Sequence, residues 1–191
     1  MTKDFGPIFE NYGANSMITT PDGKWLFATS IDGRLKQISL ESQQVVHDYA
    51  KIHGGSITCL ETTRDSRWLI TGSADNYVNR ISVENKEVEK DLGQPYNNSI
   101  WTMKITADGE KLLVGNYKGH FKLISLITGR VIKRFGRAHN GNITGIVIKI
   151  DQKFWFTSSV DGKLKQWNYG NNTLVRDHGK IMNTSIRSFC L

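Results

Sequence analysis

The sequence has little cysteine and proline, with two Cys and three Pro in 191 residues. Two cysteines exclude a small disulfide-stapled fold and fit a reducing compartment. No apolar run approaches the roughly 18 residues of a membrane-spanning helix, and the N-terminal residues lack the apolar core of a secretory signal. With 38% hydrophobic residues and 18 Gly, the composition is that of a globular chain. We expect a cytoplasmic protein, with nuclear, cytoskeletal or ciliary complexes as alternatives.

Basic residues outnumber acidic ones, 25 against 18, giving a net charge of +7. The excess is spread along the chain and forms no tail. Such a charge permits attraction to acidic proteins, anionic lipids or nucleic acid, but it selects none of these partners.

A 43-residue period runs through the chain. When the sequence is written in rows of 43 residues, four aspartates share one column: Asp22, Asp65, Asp108 and Asp151. A second column of turn dipeptides follows ten residues later: Asp32-Gly33, Asp75-Asn76, Lys118-Gly119 and Asp161-Gly162. Asp accepts backbone hydrogen bonds in tight turns, and the dipeptides supply the positive φ of hairpin turns. Lys118 fits that role less well than its counterparts.

Short segments rich in β-branched and aromatic residues lie between these turns, and they predict four strands per period. No window has a sustained 3.6-residue apolar period, so no helix is expected. Four strands repeating at about 40–45 residues are typical of β-propeller blades. We predict blade units at 14–56, 57–99, 100–142 and 143–185, with residues 1–13 and 186–191 belonging to flanking blades.

The chain resembles the WD40 family along essentially its whole length. The fourth row carries the best match, with His139, then Ser159 and Asp161 near the second turn, then Trp167-Asn168. Asn168 stands where the family usually has Asp. The other rows retain less: His53, Ser73 and Asp75 in the second, Ser30 and Asp32 in the first, and Tyr96, Asn116 and Lys118 in the degenerate third. The resemblance implies an all-β, WD40-like propeller segment of four complete blades plus partial strands at both ends.

The resemblance also implies that certain residues form structural hydrogen-bond networks inside the blades. In this pattern the Asp orients the His, and the His bonds a hydroxyl that bonds the Trp indole. The residues expected in these networks are His139, Ser159, Asp161, Trp167, His53, Ser73 and Asp75. A catalytic triad is the competing interpretation, but no Gly-x-Ser-x-Gly turn accompanies it. Because paired metal-ligand spacings are also lacking, we expect no enzyme activity, no metal and no cofactor.

Basic and aromatic residues gather at the predicted second turns and at the links between blades. Alternate turns of an antiparallel meander emerge at the same edge, so both sets should share one rim. The candidate partner-binding residues are Arg34, Lys51, Tyr77, His120, Arg137, Lys163 and Lys180. They predict a docking surface for an acidic or phosphorylated segment or for another subunit. The alternative is that exposed turns simply favour charge.

Nucleic acid is a weaker expectation for this rim, because single-strand binding requires aromatic side chains among the charges. Tyr77 is the main candidate for stacking. Trp25, Trp68 and Trp155 are expected in the strand core instead.

Residues 2–6 resemble segments that close other units, and residues 185–191 resemble a first strand only. We therefore expect a longer protein or self-association, which light scattering would reveal as a mass above 21.6 kDa. The leading functional hypothesis is a non-enzymatic protein-interaction scaffold that presents loop rims to partner proteins. The alternatives are a regulatory or targeting segment of a larger enzyme or complex, and a phosphate- or nucleic-acid-binding module.

Overall fold

The computed structural model describes residues 8–10, 13–149, 151 and 153–182. These residues contain sixteen β-strands and no helix. The first sheet contains β1 (Ala14–Thr19), β2 (Trp25–Ser30), β3 (Arg34–Ser39) and β4 (Val45–Lys51). The second contains β5 (Ile57–Thr62), β6 (Trp68–Ser73), β7 (Val78–Ser82) and β8 (Glu87–Asp91). The third contains β9 (Ile100–Ile105), β10 (Lys111–Asn116), β11 (His120–Ser125) and β12 (Val131–Arg137). The fourth contains β13 (Ile143–Ile148), β14 (Phe154–Ser159), β15 (Lys163–Asn168) and β16 (Leu174–Lys180).

Every sheet is a four-stranded antiparallel meander in which strands pair in chain order. This confirms the predicted all-β class and the four strands in each repeat. The inner strands are the most buried, as in β6, where five of six residues are buried. The fourth strands are the most exposed, as in β8, where four of five residues are exposed. That difference explains why the fourth strand has the weakest apolar signal in the sequence.

The aspartate column folds as predicted from turn chemistry. Asp22 accepts hydrogen bonds from the Thr20 hydroxyl at 2.5 Å and from the Lys24 backbone N–H at 3.1 Å. The second sheet repeats both bonds with Thr63 and Asp65, at 2.5 and 3.1 Å respectively. The short turn between first and second strands is therefore held by the same side-chain contacts in successive repeats.

The second turn requires a positive φ at one residue only. That residue is the second of each dipeptide, namely Gly33, Asn76, Gly119 and Gly162, with φ between 77° and 90°. Lys118 was expected to fit this role less well, but the left-handed conformation falls on Gly119, so Lys118 does not need a positive φ.

The chain divides into two compact units, residues 1–94 and 95–191. In the first unit, the core lies between the first and second sheets and contains Phe27, Leu35, Ile57, Leu60, Leu69, Ile81 and Val83. Phe9 forms a separate buried cluster with Ala28 and Ile38 of the first sheet, and Ile8 packs against it. In the second unit, the core lies between the third and fourth sheets and contains Leu113, Phe121, Leu123, Ala138, Ile143, Ile146, Trp155 and Trp167.

The three tryptophans expected in the strand core differ in burial. Trp155 is fully buried and stacks on Trp167 with ring centroids 5.2 Å apart. Trp25 is only partly buried against the first unit's core. Trp68 is also half-buried, and the Arg80 guanidinium lies 4.7 Å from its ring centroid. Trp25 and Trp68 are the first residues of their strands, where the strand ends reach solvent. The prediction that they lie in the core therefore overstated their burial.

The predictions for the chain ends fall largely outside the described residues. These are the segment at residues 2–6, which resembles the closing segments of other units, and the first strand at 185–191. In the described part of the chain, no helix is long and apolar enough to cross a membrane.

Candidate partner-binding site

A buried hydrogen-bond network joins the strands of the fourth sheet. His139 Nδ1 lies 3.3 Å from an Asp161 carboxylate oxygen, and His139 Nε2 lies 2.9 Å from the Thr157 hydroxyl. The Trp167 indole N–H donates to the same hydroxyl at 3.0 Å. The network thus connects the link before β13 with β14 and β15.

The hydroxyl in this network belongs to Thr157, so the prediction that Ser159 links the imidazole to the indole was wrong. Ser159 Oγ accepts the Asp161 backbone N–H at 3.1 Å. Side chains two residues apart share a strand face, so both hydroxyls point the same way. Ser159 ends β14 and stabilises the turn, whereas Thr157 lies deeper under the imidazole.

The second sheet contains a shorter version of this network. His53 Nδ1 lies 3.0 Å from Asp75, and its Nε2 lies 2.8 Å from the Thr71 hydroxyl. Ser73 again occupies the turn, accepting the Asp75 N–H at 3.1 Å. No indole takes part, because Ile81 stands at the position of Trp167.

The protonation states follow from burial and charge. Burial lowers the pKa of His139 below its ordinary value, although Asp161 opposes the shift. Burial acts to raise the pKa of Asp161, but the backbone N–H groups of Asn140 and Lys163, together with His139, outweigh it and hold that pKa low. A neutral imidazole with Nδ1–H donating to the carboxylate leaves Nε2 free to accept the Thr157 O–H. Every polar atom in the network then has a partner.

The two columns of rim residues lie together at one end of each sheet. Three register pairs join them across strands three and four: Arg34 with Lys51, His120 with Arg137, and Lys163 with Lys180. The turn and link are also hydrogen-bonded, since the Gly119 carbonyl accepts the N–H of Ala138 and of His139. We call this end of a sheet, with its second turn and its link, the turn end.

The charge at the turn end is partly balanced within the first unit. The Arg34 guanidinium pairs with Asp32 at 3.0 Å. Tyr77 lies in the second sheet's turn and is 37% exposed. In the second unit, Arg137 and Lys180 are exposed, whereas His120 and Lys163 are half-buried.

Sequence reasoning missed an exposed aromatic pair at the turn end of the third sheet. Trp101 and Tyr117 are 41% and 53% exposed, and their rings meet edge to face with centroids 5.8 Å apart. Trp101 stands in a column where the neighbouring repeats have Thr58 and Thr144. This difference between the repeats is the feature of the sequence that could have indicated the aromatic pair. Among the described residues, no three His, Cys, Asp or Glu side chains gather where they could hold a metal ion.

A family model described as WD domain, G-beta repeat, matches residues 44–79 and 129–168. Each matched segment starts close to the fourth strand of one sheet and ends in the third strand of the next, from β4 to β7 and from β12 to β15. Both segments contain a His–Asp–Thr network. No curated protein matches the chain.

Proposed function

We propose that this chain, which carries WD40 repeats, is a non-enzymatic scaffold that binds partner proteins at the turn ends of its sheets. WD40 repeats generally mediate protein–protein interactions. The proposal adds a location, the turn end of the third sheet, and a mode of binding through exposed aromatic side chains.

The exposed pair of Trp101 and Tyr117 is the observation that carries the proposal. Aromatic residues are enriched in protein interfaces, and Trp and Tyr dominate binding hot spots. A Trp exposed to 41% beside a Tyr exposed to 53% leaves apolar area in water that a partner could cover. Lys118 and Arg137, both exposed at the same turn end, would supply a polar rim.

The buried networks support a non-enzymatic function. A catalytic nucleophile must meet its substrate, yet Thr157 and Ser159 are both 0% exposed. His139, whose imidazole lies beside the Thr157 hydroxyl, is buried as well. Satisfying buried polar groups in this way stabilises a fold cooperatively. Stabilisation of the sheets is therefore enough to explain the networks without a catalytic function.

Co-purification with crosslinking from native extract tests the proposal. Wild-type chain is compared with a double variant carrying Trp101→Thr and Tyr117→Ala, which introduces the residues that the second repeat has at both positions. The matched control is Ile132→Ala, another apolar residue with 51% exposure. We expect proteins that wild type and the control capture equally and the double variant loses. Equal capture by all three chains would refute the proposed site.

Nucleic-acid binding is the second candidate, because the same pair places aromatic rings among basic residues. Its test is a titration with labelled oligouridine at two salt concentrations. Electrostatic binding to nucleic acid weakens steeply with salt. Tight, salt-sensitive binding that needs Trp101 would favour this candidate over the protein scaffold.

A further inference from the structure

A pocket of about 290 Å³ opens in the third sheet. It is formed by the link before β9, the end of β10 and the facing strands β11 and β12. Its lining residues are Tyr96, Asn98, Asn116, His120, Phe121, Lys122, Arg134 and Gly136. All of them belong to the second compact unit.

The pocket lies where this repeat departs most from its neighbours. Tyr96 replaces the histidine and Lys118 replaces the aspartate of the buried networks. The Tyr96 hydroxyl instead donates to the Val114 carbonyl at 3.2 Å. The third sheet therefore lacks the imidazole–carboxylate pair that ties the link to the second turn in the second and fourth sheets.

The register pair across β11 and β12 also differs from that of the first and fourth sheets, because it joins two basic residues. In the first sheet, the register partners Lys36 and Asp48 form an ion pair at 3.3 Å. The fourth sheet repeats this with Lys165 and Asp177 at 3.2 Å. In the third sheet the register partner of Lys122 is Arg134. Like charges directly opposite each other destabilise a sheet, so this pair has a cost that a bound anion would relieve.

Lys122 is held in the pocket wall by other contacts. Its ammonium group donates to the Pro95 carbonyl and lies 4.1 Å from the Tyr96 ring centroid. Burial lowers the pKa of Lys122, and repulsion from Arg134 lowers it further. The position of this charge is therefore fixed before any ligand arrives.

Two asparagine side chains in the pocket wall each have one polar atom without a hydrogen-bond partner. Asn116 is 1% exposed, and its Nδ2 makes no hydrogen bond. Its Oδ1 accepts the backbone N–H of Lys118 at 3.0 Å and of His120 at 2.9 Å, which fixes the amide orientation. Asn98 Oδ1 is likewise buried without a partner. Buried polar groups are nearly always hydrogen-bonded, so the pocket offers a ligand one donor, Asn116 Nδ2, and one acceptor, Asn98 Oδ1.

We propose that this pocket binds the side-chain carboxylate of a Glu or Asp in an extended segment of a partner protein. The carboxylate accepts from Asn116 Nδ2 and pairs with Arg134 and Lys122, while a backbone N–H of the segment donates to Asn98 Oδ1. A peptide supplies both kinds of group, whereas an anion without a proton, such as chloride or sulfate, supplies only acceptors. The inference rests on the proposed function and names the chemistry of the partner.

The test uses the full ¹⁵N-labelled chain and a blocked pentapeptide, Ser-Gly-Glu-Gly-Ser, with its Gln counterpart as the neutral probe. We expect saturable shifts of the Asn116 and Asn98 side-chain amide signals with the Glu peptide. The Gln peptide should bind at least about tenfold more weakly, because charge-assisted hydrogen bonds are the stronger ones. Absence of a saturable shift, or equal affinity for the two peptides, would overturn the inference.

Arg134→Asp is the matching variant, because it restores the Lys–Asp register pair of the first and fourth sheets. We expect at least a tenfold loss of Glu-peptide affinity with an unchanged or raised melting temperature. Arg130→Asp changes the same charge on an exposed residue outside the pocket and should bind like wild type. Undiminished binding by Arg134→Asp would overturn the inference.

Failure of this inference is distinguishable from failure of the proposed function. If partner capture depends on Trp101 and Tyr117 but Arg134→Asp leaves peptide binding and capture unchanged, the pocket inference is wrong and the scaffold stands. If the peptide binds through Arg134 but no protein is captured, the pocket is supported and the scaffold is not.

Discussion

Replacing Thr157 by Val removes one hydroxyl and keeps the side-chain shape. In wild type that hydroxyl accepts the Trp167 indole N–H at 3.0 Å and lies 2.9 Å from His139 Nε2. Both partner groups are buried, so the variant leaves a donor and an acceptor unsatisfied. Each such group costs about 1–3 kcal/mol, which predicts a loss of about 2–6 kcal/mol in the free energy of unfolding. For a chain of this size, 1 kcal/mol shifts the melting temperature by about 2–4 °C, so it should fall by about 4–24 °C.

Urea unfolding followed by tryptophan fluorescence and circular dichroism measures this loss. Thr71→Val is the matched control, because its hydroxyl serves only His53, and Asn79 Nδ2 lies 3.4 Å from the same ring nitrogen. We expect Thr71→Val to cost about 1–2 kcal/mol, less than Thr157→Val. Ser159→Ala should also cost less, since it frees one backbone N–H. A Thr157→Val loss below about 0.5 kcal/mol, or a larger loss for Ser159→Ala, would refute the network as described.

Two further predictions concern stability. Burial lowers the pKa values of His53 and His139 in the folded chain, whereas the ordinary histidine pKa of 6.5 applies in the unfolded chain. As the pH falls towards that value, the unfolded chain therefore binds more protons than the folded chain. Stability should therefore decrease as the pH is lowered from 7.5 to 5, and His139→Gln should make this pH dependence less steep. A wild-type melting temperature that is constant across this pH range would contradict the prediction. Gly119→Ala should destabilise the chain by more than about 2 kcal/mol, because φ is +81° and an added Cβ would collide with the His139 carbonyl. Gly109→Ala, at φ +74° with open space around it, should cost only about 1 kcal/mol, and equal losses in thermal unfolding would contradict the collision.

The repeat was predictable because its signals are local. Asp22 and its counterparts bond backbone groups two residues away, so turn positions can be read without knowing the fold. The sequence could not predict which hydroxyl belongs to the network, since Thr157 and Ser159 lie on the same strand face. Only the depth of Thr157 under the imidazole decides between them.

The candidate site required information that a linear sequence lacks. Lys122 and Arg134 are twelve residues apart, and a β-bulge shifts the register between them and the strand end. Trp101 and Tyr117 likewise meet only because Ile100 pairs with Asn116. Column comparison marks each residue as unusual, but strand register determines which unusual residues become neighbours.

Site-specific photo-crosslinking tests partner docking at the third sheet most directly. A benzoylphenylalanine is placed at Tyr117, in the turn end, or at Glu110, exposed at the opposite end of the same sheet. Chains crosslinked in native extract are analysed by mass spectrometry. We predict partner proteins joined through position 117 and few or none through position 110. Adducts only at position 110, or equally at both, would contradict docking at the turn end.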